Sequence, residues 1–310
     1  MDDANAVFDE PLTGLSQSEW LERFEEIVTD YGTFERLDQR HISACLDGND
    51  TLLVTFETIA GLRTLSATAQ PLGWQMAKAK GWSQLSIIST GDTWFRGTGI
   101  YAFFDRLIDD GYFDAFETIV FFGAGPCAYA ATAYSVAAPG ARVLAVQPQA
   151  TLDPRVTEWD DRFVEMRRTD FTSRFGYAPD MLDAADHAYV IYDPEQTFDA
   201  MHAALFTRSN VTKFRMRHFG ASLQSDLLGM NLLDLLLERV ADGTLDYTSF
   251  GKLFRIRRNN RRYLRGLVAD LTKKERLDLA QMVAQNAKTR IGGPFFDKWL
   301  KRNATDAGAE

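Results

Sequence analysis

From Thr51 onward, short apolar runs rich in β-branched and aromatic residues alternate with longer stretches of helical spacing. The runs at 51–58, 84–90, 118–122, 142–146, 187–192 and 211–216 are apolar on both faces or nearly so. Strands covered on both faces of a parallel sheet have that pattern. Between them, 71–80, 99–110, 127–137, 155–168 and 197–207 read as helices. The alternation predicts an α/β layered fold with a mostly parallel sheet and right-handed crossovers. Upstream, Trp20, Leu21, Phe24 and Ile27 share one face of a helix over 17–29, with Ser16 as N-cap and Glu19 three residues on. After Ser222 the strands stop. Helical patterns over 223–240, 247–256, 261–269, 273–285 and 294–301 predict a terminal bundle. Its first helix is crowded with leucine on most faces and should be buried between sheet and tail. Three regions follow: a lead-in helix and connector at 1–45, the α/β domain at 46–222 and a helical subdomain at 223–310. The last residues, from Asn303, are small and polar and are expected to fray.

Charge divides the chain further. Residues 251–310 carry 15 Lys/Arg against 6 Asp/Glu, although the whole chain has a net charge of −9. The tail residues Arg255, Arg257, Arg258, Arg261, Arg262 and Arg265, with Phe254 and Tyr263 interleaved, have the ingredients for phosphate contact and stacking. They match no named nucleic-acid module, so the preferred reading is a cationic face balanced by the acidic body, with polyanion binding as the alternative. The two cysteines, Cys45 and Cys127, are too few for a disulfide framework. The first residues are acidic where a secretory signal would be basic and then apolar, and no apolar run approaches the ~20 residues of a membrane span. A cytoplasmic location without membrane contact is expected. No His/Cys/Asp spacing suggests a metal, and no cofactor is expected.

The chemistry centres on 118–137, where a strand runs into Gly123-Ala124-Gly125-Pro126-Cys127 and then a helix. This resembles the nucleophile elbow of α/β-hydrolases, a strand, a tight Gly-x-Ser-x-Gly turn and a helix. It is most similar to bacterial members whose elbow runs Gly-Ser-Ser-Met-Gly-Gly-Tyr-Ala-Ala, matched here by Tyr129-Ala130-Ala131. Asp92-Thr93-Trp94-Phe95 after a strand, Pro148-Gln149, and Tyr192-Asp193-Pro194 extend the resemblance over roughly 50–222. It implies an α/β-hydrolase-like three-layer sandwich with Gly125 at the nucleophile position. Glycine has nothing to attack with, and Pro126 has no N–H to lend an oxyanion hole. The implied protein is non-catalytic and binds a small ligand or a partner at the former active-site mouth. Candidate contacts there are Asp92, Trp94, Arg96, Gly125 and Gln149.

Alternatives stay open. Cys127, Asp193 and His218 occur in the nucleophile, acid, histidine order of the family, so a cysteine hydrolase or acyltransferase is the enzyme reading. Chains of this kind are also associated with phosphoadenosine phosphosulfate reductases, which resemble PP-loop proteins. Ser89-Thr90-Gly91-Asp92-Thr93 is one residue short of that loop, and no cysteine follows Cys127 to supply the thiol chemistry. The charged stretch 153–174 reads as a solvated helix laced by pairs such as Glu158–Arg162, or as a cap over the pocket. His218 is the histidine expected to face a site. His187 is expected in the sheet, and His41 and His202 on partly exposed faces.

Overall fold

The computed structural model describes residues 6–306. Eight strands form one sheet: β1 (Thr33–Arg36), β2 (His41–Leu46), β3 (Asn49–Thr58), β4 (Trp82–Ser89), β5 (Thr118–Ala124), β6 (Arg142–Val146), β7 (His187–Tyr192) and β8 (Val211–Arg215). Their order is β1-β2-β4-β3-β5-β6-β7-β8, with β3 to β8 parallel and β1 and β2 antiparallel at one edge. Helices cover both faces, giving the layered α/β fold that the alternation predicts, in the three-layer α/β-hydrolase-like arrangement that the resemblance implies. The chain leaves β3 toward β4 on one side and returns to β5 on the other. The carboxyl ends of these three strands therefore mark the switch point where open α/β sheets bind ligands.

The lead-in helix α1 (Gln17–Tyr31) starts on the expected capping box: Ser16 Oγ accepts the Glu19 N–H at 3.3 Å and Glu19 Oε2 accepts the Ser16 N–H at 2.8 Å. Its buried face stacks Trp20 on Phe24 at 4.7 Å, and Phe24 stacks on Trp74 at 5.6 Å. Each such buried side chain is worth about 1.5–3 kcal/mol, enough to fix the helix against the sheet edge. Trp74 belongs to α3 (Leu72–Lys80), which follows the short α2 (Ile59–Leu65). On one sheet face α4 (Thr98–Asp109) and α5 (Pro126–Tyr134) build an aromatic core around Phe56, Phe104, Phe121 and Tyr134. On the other, α9 (Leu223–Gly229) and α10 (Leu233–Ala241) bury their leucines against Val120, Phe122 and Leu144.

The structure departs from the sequence reading in four places. β1 and β2 belong to the sheet, so the sheet reaches into the segment read as a connector; short and largely polar, β1 carries no apolar run to announce it. The stretch 155–168 is not one helix: α6 (Pro154–Thr157) ends at once, and a 3₁₀ turn covers Val164–Arg168. Asp153 and Asp160 accept the N–H groups of Arg155 and Arg162, two residues on, and such local bonds compete with a helix. The leucine-rich helix is two, broken where Asn231 takes φ 53°. His41 and His202 are buried, not exposed.

Two short helices, α7 (Ala178–Met181) and α8 (Thr197–Leu205), flank β7. The tail comprises α11 (Tyr247–Leu253), α12 (Arg261–Lys273), α13 (Leu277–Ile291) and α14 (Pro294–Asp306). The last three share a small core of Leu264, Val268, Ala284, Ala287 and Phe296. α14 continues past Asn303, and the expectation of fraying otherwise falls on 307–310, outside the described residues. Among the described residues no helix is long and apolar enough to cross a membrane.

Candidate functional site

At the end of β5 the backbone turns sharply at Gly125, φ 58° and ψ −127°, and α5 begins at Pro126. L-residues rarely adopt that conformation, and glycine adopts it without strain. Space is not the restriction, since a Cβ on Gly125 would meet nothing within 4 Å. At Gly123 it is: a Cβ there would lie 2.1 Å from the Cys127 carbonyl oxygen, so β5 and α5 approach this closely only through glycine. Strand, close approach, left-handed apex and helix together make an elbow with Gly125 at its summit. The summit bears no side chain, and the next residue, Pro126, has no N–H.

Beneath the elbow lies a partly open cavity of about 170 Å³ at the carboxyl ends of β3 and β5, flanked by α2, α3 and α9. Phe56, Leu62, Leu65, Leu72 and Leu228 give it apolar walls, and Pro126 and Cys127 line its elbow side. Glu57, 7% exposed, sits within it, and the exposed Asp92 stands at its rim. The Thr55 hydroxyl donates to Glu57 Oε1 at 2.8 Å, and the Leu72 N–H is shared between the two carboxylate oxygens at 3.2 Å each. Burial pushes the Glu57 carboxyl up to about 7, and those hydrogen bonds only partly offset it. Burial also holds the Cys127 thiol far above its ordinary range, with the Glu57 and Asp92 charges adding to the effect. A thiol so placed is not a ready thiolate.

The candidate relay Cys127, Asp193, His218 is not assembled. Cys127 faces the cavity, whereas His218 lines a separate groove with Arg215, Arg217, Arg257 and Tyr263. Its Nδ1 pairs with Glu195 Oε2 at 3.0 Å. The Asp193 carboxylate is taken up by main-chain donors instead: Phe219 N–H at 2.9 Å and Gly220 N–H at 2.7 Å on one oxygen, Glu195 N–H at 2.9 Å on the other. It clamps the loop after β8 rather than orienting an imidazole.

Of the expected ligand contacts, only Asp92 lines the cavity directly, with Gly125 at the elbow above it. Trp94 is buried edge-on against Phe163 at 4.9 Å and Tyr129 at 5.9 Å. Arg96 donates to the carbonyls of Asp170 (2.8 Å) and Arg174 (2.6 Å) and stacks over Tyr101 and Phe171. Both hold the 153–177 segment in place. Gln149 is buried and donates to the Gln147 carbonyl at 3.3 Å. Left-handed non-glycine residues gather on this edge of the sheet: Trp94, Phe95, Gln147 and His218, each in a loop after a strand. Such conformations cost about 1–3 kcal/mol each and concentrate at functional edges.

Sequence reasoning missed three groups. Glu57 follows the buried run Leu52–Phe56, and the sequence marks it only as an acid at the end of that run. Asp38, His41 and Thr93 form a line in which His41 Nδ1 meets Asp38 at 2.8 Å and Nε2 meets Thr93 Oγ1 at 2.7 Å. No spacing rule joins the β1–β2 turn to the loop after β4, so only the fold reveals it. The third is the anchor of the 153–177 segment. The Ala150 N–H donates to His202 Nδ1 at 3.1 Å, which puts the ring proton on Nε2, 2.9 Å from Asp160 Oδ2. Arg162 bridges Asp160 at 2.8 Å and Asp199 at 2.7 Å. Burial raises the Asp160 carboxyl, but the His202 and Arg162 hydrogen bonds outweigh it and hold it well below the usual carboxylate range.

Glu195, His218 and Asp270 offer three donor atoms within 4.8 Å of one another, the one grouping among the described residues with metal-ligand chemistry. Each already has a partner, since Glu195 pairs with His218 and Asp270 with Lys274 at 2.7 Å. Four of the six tail arginines are engaged within the chain: Arg257 lies over Phe254 at 4.6 Å, Arg261 donates to the Ile291 carbonyl, Arg262 pairs with Asp226 at 3.2 Å, and Arg265 lies over Phe295, while Arg255 and Arg258 are exposed.

No family model matches the chain. No curated protein matches its sequence. Solved structures do align with it. An esterase from Pyrobaculum calidifontis is 13% identical with a TM-score of 0.43, covering 75% of this chain and 95% of its own. The capsule O-acetyltransferase of Neisseria meningitidis serogroup A is 9% identical with a TM-score of 0.43, covering 66% and 92%. The Glycosylation Associate Protein (Gap123) complex from Streptococcus agalactiae is 12% identical with a TM-score of 0.42; the alignment covers 64% of this chain but only 44% of that one. At such distances no residue role transfers.

Proposed function

We propose that this chain is a non-catalytic α/β-hydrolase-like protein that binds a small ligand in the cavity beneath its elbow. The observation that carries the reading is the bare summit at Gly125, followed by a proline. Acyl transfer needs a nucleophile there and an N–H behind it, and one lost oxyanion donor alone removes about 3 kcal/mol of transition-state stabilisation. A carboxyl, Glu57, occupies the β3 side, where that chemistry would want a second donor. The test is turnover of p-nitrophenyl butyrate together with labelling by a fluorophosphonate and by iodoacetamide. The expected outcome is no turnover above background and no labelling of Cys127 until the protein is unfolded. Turnover abolished by Cys127→Ala would overturn the reading.

One observation favours a second reading. The Asp38–His41–Thr93 line has the acid, imidazole and hydroxyl order of a hydrolytic relay, and such relays are recognised by geometry. Thr93 is buried and its hydroxyl also accepts the Phe95 N–H at 3.2 Å, which suits a latch between the β1–β2 turn and the loop after β4. Fluorophosphonate labelling lost in Thr93→Val would establish the enzyme instead.

A further inference from the structure

Among the described residues, the buried acids other than Glu57 each face a cation or main-chain donors of the chain itself. Asp160 and Asp199 share Arg162, Asp153 pairs with Arg155 at 2.6 Å, Asp226 faces Arg262, and Asp193 accepts three main-chain N–H groups. Glu57 has a hydroxyl and a single shared N–H. A carboxylate offers about four acceptor positions, so part of its capacity is unused. No Lys, Arg or His lines its cavity. The titratable groups around it are the Cys127 thiol from α5 and the Asp92 carboxyl from the loop after β4, and neither is a cation. The Thr58 and Ser66 hydroxyls and the Gln75 and Gln224 amides add uncharged polar groups to the lining, while the Gln70 amide is spent on Thr68 and the Phe8 and Glu10 carbonyls.

Resting on the ligand-binding reading above, we propose that the cavity takes a small primary ammonium ion with an apolar body, its charge answered by Glu57. Ionised carboxylates removed from water need a paired charge, and here the chain supplies none. The apolar walls suit a hydrocarbon body. An engineered cavity of about 150 Å³ holds a benzene molecule, so about 170 Å³ suits a ligand of roughly six to eight non-hydrogen atoms. The positive charge of the ligand and the ionised form of Glu57 support each other, so binding displaces a proton from the carboxyl near neutral pH.

The experiment is calorimetric titration of the full chain with hexylammonium, 1-hexanol and pentanoate, probes of matched size and different charge, at pH 6 and pH 8. Hexylammonium should bind at least about tenfold tighter than 1-hexanol at pH 8, with affinity rising about tenfold from pH 6 to pH 8. Pentanoate should not bind. Glu57→Gln should abolish both the preference and the pH slope while retaining 1-hexanol. Equal or tighter binding of 1-hexanol or pentanoate would overturn the charge assignment and leave the cavity reading standing. No binding of any probe would overturn both. An ammonium preference retained in Glu57→Gln would remove Glu57 from recognition, and if that variant does not fold, the wild-type pH pair decides alone.

Discussion

Two carboxyls, each withdrawn from water at the same edge of the sheet, end in opposite states. Asp160, under the 153–177 segment, is ringed by Arg162 and His202 and stays ionised at any ordinary pH. Glu57, in the cavity beneath the elbow, is pushed up to about 7 because burial there meets no counter-charge. Desolvation opposes ionisation at both places, and the partner decides. The comparison separates the two places: the first is a closed electrostatic knot that fixes a segment, and the second is a carboxyl without a cation beside it.

The largest test breaks the knot. Asp160→Ala should leave the Arg162 guanidinium one carboxylate short and remove the His202 acceptor, lowering unfolding free energy by about 3–5 kcal/mol in urea titration. The next measures the Glu57 carboxyl. A carboxyl whose folded pKa exceeds its unfolded value binds a proton more tightly in the folded state, so stability falls as pH rises from about 4.5 to about 7. The Glu57 contribution to that fall is about 3 kcal/mol, and Glu57→Gln should remove it from the pH profile of unfolding. A loss of stability on lowering pH over this range, removed by Glu57→Gln, would reverse the assignment. The smallest concerns the apex above the cavity. Gly125→Ser has room for its side chain but must hold φ 58°, and should cost about 2 kcal/mol without producing esterase turnover, since Pro126 still lacks an N–H.

Much of the architecture was legible. β3 to β8 announced themselves because each carries apolar residues on both faces, and the elbow register was read from Tyr129-Ala130-Ala131; the structure adds that Gly123 is demanded by close approach and Gly125 by backbone sign. The edge strands β1 and β2 were not, because β1 is short, polar and held mainly by pairing. The 153–174 stretch misled for a related reason. Its aspartates bond their own main chain two residues on, and Arg162 reaches a distant Asp199, so the spacing of a salt-bridged helix concealed a turn-rich anchor. At the site, chain order suggested an Asp193–His218 partnership that main-chain donors had already pre-empted. Glu57 went unread because an acid in a strand gains meaning only once its surroundings are known.

The N–H that Leu72 lends to Glu57 opens α3, and two residues along the same helix the Trp74 indole is stacked on Phe24 of α1. Whatever alters the charge on that carboxyl therefore pulls on the first turn of a helix carrying a fluorophore. Filling the proposed site should shift the Trp74 emission, and a Trp74→Phe difference spectrum would read it without any added dye.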